Sequence, residues 1–215
     1  MLIPIKQNEI NKLIPSVATG KQFNSALGNP QKIFQRIMIS AIGGVITLLI
    51  SQSQVTSQFY SLWLVLGVVF LLYILWGPIL EASRKNSKLK SYSFYALFDG
   101  YISEVYVEDR IENQQEQANK DGRLELVEKR RSWVVIKMED DDGYLGNINF
   151  PLKDKFNILR NGMRINCVVF SNRRDFSSIQ AISDAWCPEI RLWVGNYPYL
   201  LRPAFEEFLS RRLSN

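Results

Sequence analysis

Residues 59–80 (FYSLWLVLGVVFLLYILWGPIL) carry no charged side chain. As one helix they would reach about 33 Å, enough for the hydrocarbon core of a bilayer. A second uncharged apolar run, residues 37–50, precedes them across the small polar loop 51–58. It is short for a span, and continuation through residues 51–55 brings it near the required length if Arg36 snorkels toward the interface. The pair predicts a transmembrane helical hairpin, and every other segment has to be accommodated around it.

Orientation follows from the flanks. Lys32 and Arg36 precede the first run, Arg84, Lys85, Lys88 and Lys90 follow the second, and the loop between is uncharged. The positive-inside rule then places both termini on the cytosolic side. Tyr60 and Trp63 at one end and Tyr73 and Trp76 nearer the other sit where interfacial aromatics belong. Arg36, Tyr60, Trp63, Trp76, Arg84 and Lys85 are the expected interface anchors. Gly43, Gly44 and Gly67 are the expected points of close helix approach, and Gly77-Pro78 is where the second helix should loosen. Without intramembrane charge the hairpin reads as an anchor, not a pore.

Composition narrows the chemistry. The chain has no histidine, which removes Ser-His and Cys-His catalysis and the commonest metal ligand. Its two cysteines, Cys167 and Cys187, lack a CxxC spacing and are expected to be free thiols in a reducing compartment. The acidic run 139–142 (EDDD) lacks the alternating ligands of a calcium loop and reads as a solvated turn. No nucleophile–base pair or phosphate-cradling glycine loop is visible, so neither enzyme nor cofactor is expected. A net charge of +5 suits a protein beside an anionic surface rather than a nucleic-acid binder.

Four regions emerge. Residues 1–29 are a cytosolic segment with a short amphipathic helix over Ile10, Leu13, Ile14 and Val17 and a loop from Gly20 to Asn29. Asn29 then caps a helix opening at Pro30. Residues 30–83 are the hairpin. Residues 91–194 alternate with period two in short segments, with strands expected at 101–107, 124–127, 133–138, 146–150, 164–170, 178–182 and 190–194. Asp121-Gly122, Asp142-Gly143 and Asn161-Gly162 supply turns, and residues 112–120 (ENQQEQANK) read as a hairpin tip. The fold class is therefore an α+β membrane protein, with a two-helix hairpin, a small antiparallel β-barrel or sandwich (OB- or SH3-like) and a short C-terminal helix. Residues 195–215 hold an aromatic segment and that helix. Trp193, Tyr197, Tyr199, Arg202 and Phe205 are of the types enriched at interface hot spots and are the candidate partner-binding residues.

The stretches RLWVGNYPYLLRPAFEEF (191–208) and FSNRRDFSSIQAISDAW (170–186), with the double span, resemble an uncharacterised membrane-protein family of cyanobacteria and chloroplasts. Some of its members bear the label phosphate transporter permease. The resemblance implies a thylakoid location and a role beside photosystem assembly. The leading expectation is thus a non-enzymatic thylakoid factor whose partner is a larger integral membrane complex such as a photosystem II assembly intermediate. Two alternatives belong to other classes. One is a self-assembling scaffold, since spans followed by a small barrel resemble NfeD-type proteins, and the other is a subunit of a transport complex.

Overall fold

The computed structural model describes residues 1–28, 30–53, 58–118 and 124–213. Two compact units share the chain, Met1–Ile10 with Tyr92–Leu200 and Asn11–Ser91 with Leu201–Asn215. Asn29, the turn at Asp121-Gly122 and part of the loop after Ser53 lie outside the described residues.

In the first unit, seven strands among the described residues form one antiparallel sheet: β1 (Leu2–Ile5), β2 (Phe94–Ala118), β3 (Leu124–Glu139), β4 (Leu145–Pro151), β5 (Arg164–Ser171), β6 (Ile179–Cys187) and β7 (Leu192–Val194). The spatial order is β4-β3-β2-β5-β6-β7. The sheet curls into a half-barrel and does not close, so it is neither a finished barrel nor a two-sheet sandwich. Strand β2 organises it. Its first part pairs with β5 (Phe94↔Ser171 to Tyr101↔Arg164) and its remainder with β3 (Tyr101↔Glu139 to Ala118↔Leu124). Strand β1 pairs with Tyr95–Phe98 where β3 has ended.

Period-two patterning puts Phe98, Ile102, Ile136, Met138, Phe150 and Ile165 into one core on one face of this sheet. Burying a side chain of that size contributes roughly 2 kcal/mol. Strand β5 is buried on both faces, as its near-continuous apolar run allows. On the side of β2 away from the core, Asp99 Oδ2 accepts from an Arg164 terminal nitrogen (2.7 Å). Its Oδ1 accepts from Arg164 Nε and from Asn166 Nδ2, each at 2.8 Å. Burial opposes ionisation of Asp99, but the guanidinium and the amide outweigh it and hold the carboxyl below its ordinary range.

The structure departs from the sequence reading at three places in this unit. The described part of the polar run, residues 112–118, is strand, because 113–118 pair in register with β3 and Glu112 falls at a register shift in the ladder. With 25 residues, β2 extends about 80 Å. Residues 2–5 are strand as well, although Pro4 interrupts any helical or strand pattern there. Pro4 sits on an edge strand, where its missing N–H costs no ladder bond. Within the acidic run, Asp140 is buried and Oδ1 accepts from the backbone N–H of Asp142 and Tyr144, building the turn instead of being solvated.

The second unit is helical: the end of α1 (Gln7–Leu13), which the unit boundary divides after Ile10, α2 (Gly20–Leu27), α3 (Pro30–Ser53), α4 (Tyr60–Leu71), α5 (Tyr73–Lys90) and α6 (Arg202–Leu213). The segment read as a loop from Gly20 is helix α2. Thr19 and Gln22 form a reciprocal capping box there, satisfying two orphan N–H groups. Gln22 and Asn86 exchange side-chain hydrogen bonds at 3.2 and 3.0 Å, and Asn86 also donates to Pro15 O. Leu201 N–H donates to Leu13 O, which fixes the start of α6.

Helix α3 is long and apolar enough to cross a membrane. Residues 59–80 are not one straight helix: α4 and α5 meet at Leu72 with a bend of 71°. Gly77 and Pro78, expected to loosen the chain, lie inside α5.

Candidate functional site

On α3 the buried positions are Arg36, Ser40, Gly44, Thr47 and Ser51, a stripe at helical spacing made of small or polar residues. The opposite faces carry Ile37, Ile42, Val45, Ile46 and Leu49, all exposed. The three glycines expected at a helix seam are brought together on it. A Cβ at Gly43 would lie 2.6 Å from the Phe70 ring, and one at Gly44 2.6 Å from Leu71 Cδ2. A Cβ at Gly67 would lie 3.0 Å from Thr47 Oγ1. Thr47 Oγ1 donates back to Gly43 O (2.8 Å) or Gly44 O (2.9 Å), so its hydroxyl is satisfied within the seam.

The bend at Leu72 frees carbonyls that a continuous helix would use. Trp76 Nε1 donates to Val69 O at 2.8 Å, and Ser40 Oγ reaches Phe70 O at 3.0 Å and Leu71 O at 2.5 Å. A break in a helix needs such substitutes wherever water is absent. Trp76, expected as an interface anchor, caps a carbonyl of the bend here, and its ring meets Tyr73 edge-on with centroids 4.8 Å apart.

Below the bend lies a cleft of about 570 Å³ lined by Arg36 and by one face of α5: Tyr73, Trp76, Gly77, Leu80, Glu81, Arg84, Lys85 and Lys88. Four of the expected anchors, Arg36, Trp76, Arg84 and Lys85, meet here; Tyr60 and Trp63 are on α4. Arg36 does not snorkel outward. It is buried, donating to Leu27 O at 3.0 Å and pairing with Glu81. Lys85 joins the same carboxylate at 3.0 Å and Lys32 at 4.0 Å. Arg84 and Lys88 are exposed and have no acidic partner among the described residues.

The sheet unit has its own cleft, about 470 Å³, where the half-barrel stays open. Its walls are β4, residues 179–184 of β6 and the segment after β7. Asn147, Asn149 and Gln180 supply amides; Tyr144, Tyr197 and Tyr199 supply rings. Buried Asp184 is the single charged residue of the lining. Asp184 Oδ1 accepts Leu200 N–H at 2.9 Å. Gly195, at φ 139°, lies so close that a Cβ would be 3.1 Å from Asp184 Cα, a place where only glycine fits without strain. Burial, then the Asp184 charge and Tyr92, push the Tyr199 hydroxyl above its ordinary range. Burial does the same to Tyr144, with smaller contributions from Cys167 and Asp140.

Both walls are strand edges. Among the described residues, strand β4 pairs only with β3, and β7 covers only Ala185–Cys187 of β6. What the cleft offers is backbone donors and acceptors framed by amides and tyrosines, with no nucleophile–base pair in its lining.

Of the expected partner-binding residues, Tyr197 and Tyr199 line this cleft with rings 4.7 Å apart. Trp193 is buried and its ring lies tilted against Trp186, with centroids 5.3 Å apart. Phe205 is fully buried in α6, and Arg202 opens that helix in the other unit. Sequence reasoning missed Asp184, Asn147, Asn149 and Gln180. The available signal was the alternation of β4, whose exposed positions after Leu145 are the amides Asn147 and Asn149.

Fold and site together define an α+β protein that carries an open antiparallel half-barrel and a helical unit with one membrane-length helix. The chain belongs to the Family of unknown function (DUF8619), whose model it matches over residues 3–215. No curated protein and no solved structure matches it.

Proposed function

We propose that this chain is a non-enzymatic membrane-anchored docking factor: its helices sit in the bilayer and its half-barrel receives an extended segment of a larger membrane complex. The observation that carries the reading is the inverted burial of α3. Only 22% of its most apolar window is buried, and what is buried is serine, glycine, threonine and arginine, while the branched aliphatics face outward. A core helix of a water-soluble protein has the opposite arrangement. Small residues within and aliphatics without is the pattern of helices packed in lipid. The internally satisfied carbonyls at Leu72 support it, since hydrocarbon supplies no hydrogen bonds.

Among the described residues no further strand pairs with the outer edge of β4 or with residues 179–183 of β6, and these edges supply the docking half of the proposal, because an added strand could form ladder bonds there. The resemblance noted for residues 170–208 makes a photosystem assembly intermediate in a thylakoid membrane the first complex to examine, with both termini cytosolic.

The test has two stages. Membranes containing the chain are washed with alkaline carbonate, and the chain is expected in the pellet; its release ends the anchoring reading. A photo-crosslinking residue at Asn147 is then expected to capture a subunit of a larger membrane complex, whereas one at exposed Lys153, outside the cleft, captures none. Capture of a second copy alone replaces docking with the self-assembling scaffold.

A further inference from the structure

The cleft under the Leu72 bend is amphiphilic. Its upper lining is Tyr73, Trp76 and Leu80, continuous with the exposed apolar Leu75 and Ile79 of the same helix. Its lower lining is Arg84, Lys85 and Lys88, with Arg36 behind them and Glu81 as the single carboxylate. Four cations against one anion leave a local excess of positive charge. Glu81 is already engaged by Arg36, Lys85 and Lys32. That engagement locks α3 to α5 and leaves Arg84 and Lys88 as cations without a carboxylate among the described residues.

Tyr73, Gly77, Leu80, Arg84 and Lys88 follow one another at helical spacing, so the gradient from apolar to cationic runs along one strip about 22 Å long. A ligand matching that strip has an anionic head and an apolar body. Arginine and lysine donors suit phosphate oxygens, and tryptophan and tyrosine suit the glycerol level of a bilayer.

We propose that this cleft is a binding site for an anionic phospholipid, with the headgroup phosphate held by Arg84 and Lys88 and the first part of an acyl chain lying on Tyr73, Trp76 and Leu80. The apolar half of the strip selects a lipid over free phosphate, which shares the headgroup chemistry. The proposal rests on the membrane anchoring argued above and adds the identity of the lipid.

The full chain is reconstituted into discs of phosphatidylcholine alone or of phosphatidylcholine mixed with phosphatidylglycerol, and the lipid retained through mild detergent extraction is quantified. Phosphatidylglycerol is expected to be enriched over its share of the disc. The double variant Arg84→Gln/Lys88→Gln should lose that enrichment roughly tenfold while remaining inserted. Removing the same charge elsewhere, with Lys12→Gln/Lys21→Gln at two exposed positions, should leave it unchanged. Absence of enrichment in the wild-type chain, or an equal loss in both double variants, overturns the site while leaving the anchor standing. So does displacement of the lipid by inorganic phosphate at low concentration, which marks a free-anion site. Failure to insert even into the neutral disc overturns the anchor and the site together.

Discussion

Asp99 shows how much one side chain carries in this sheet. It receives both nitrogens of the Arg164 fork and the Asn166 amide, across the β2–β5 pairing. Its carboxyl is held below the unfolded value of about 3.9. A depressed carboxyl contributes stability that is fully present above the unfolded value and is lost as pH falls through the folded one. Urea midpoints of the full chain in detergent should therefore decline below about pH 4, and the Asp99→Asn chain should show a shallower decline. Identical acid slopes would show that Asp99 is not the group responsible. Nothing in residues 99 and 164 read separately signals this pair. It exists because the register sets Asp99 opposite Asn166, with Arg164 two places along, and register is a property of paired strands.

At the scale of elements, the bend between α4 and α5 is the feature that hydropathy concealed. Residues 59–80 read as one span because apolarity is continuous across Leu72, and nothing in that run except Gly77-Pro78 announces a break. The break falls six residues earlier than Pro78, where Ser40 and Trp76 stand ready to take the released carbonyls. Trp76→Phe keeps a large ring and removes the donor to Val69. In the bilayer environment proposed above, where no water reaches Val69 O, leaving that carbonyl unsatisfied costs about 1–3 kcal/mol, so thermal unfolding in detergent should shift downward. Ser53→Ala removes a hydroxyl donor to Ile50 O at the end of α3, away from the bend, and it should leave the transition in place. Equal transitions for the two variants would show that the bend needs no cap. Elements built on local signals were legible: period-two alternation located β4 and β5 to within a residue or two. Helix α2 carried a readable capping box, Thr19 to Gln22, beneath an unremarkable loop composition.

On the scale of the whole chain, the barrel expectation failed at closure and the reason is topological. Seven strands suffice for a barrel, but β1 and β3 share one side of β2 and β7 is three residues long, so β4 and β6 stay apart. The cleft made by that gap combines residues 144–149, 179–184 and 195–199, and no single stretch advertises it. The two cysteines give a reporter for the integrity of this unit. Both are free and buried; burial pushes the Cys187 thiol up to about 12 and Cys167 higher still. Ellman's reagent should find neither thiol in the native chain and both after denaturation. Reaction of one thiol at native conditions would reveal that the sheet opens locally before the rest unfolds.

The pairing of β1 with Tyr95–Phe98 also has a consequence for biogenesis. The first strand leaves the ribosome before either apolar run, and its partner follows only after both have been synthesised. The sheet therefore cannot be completed until the helical segment has been made. A loop closure of that length is slow compared with helix formation. The N-terminal strand is in effect a checkpoint in time, deferring the finished half-barrel until the segment proposed to enter the membrane has been dealt with.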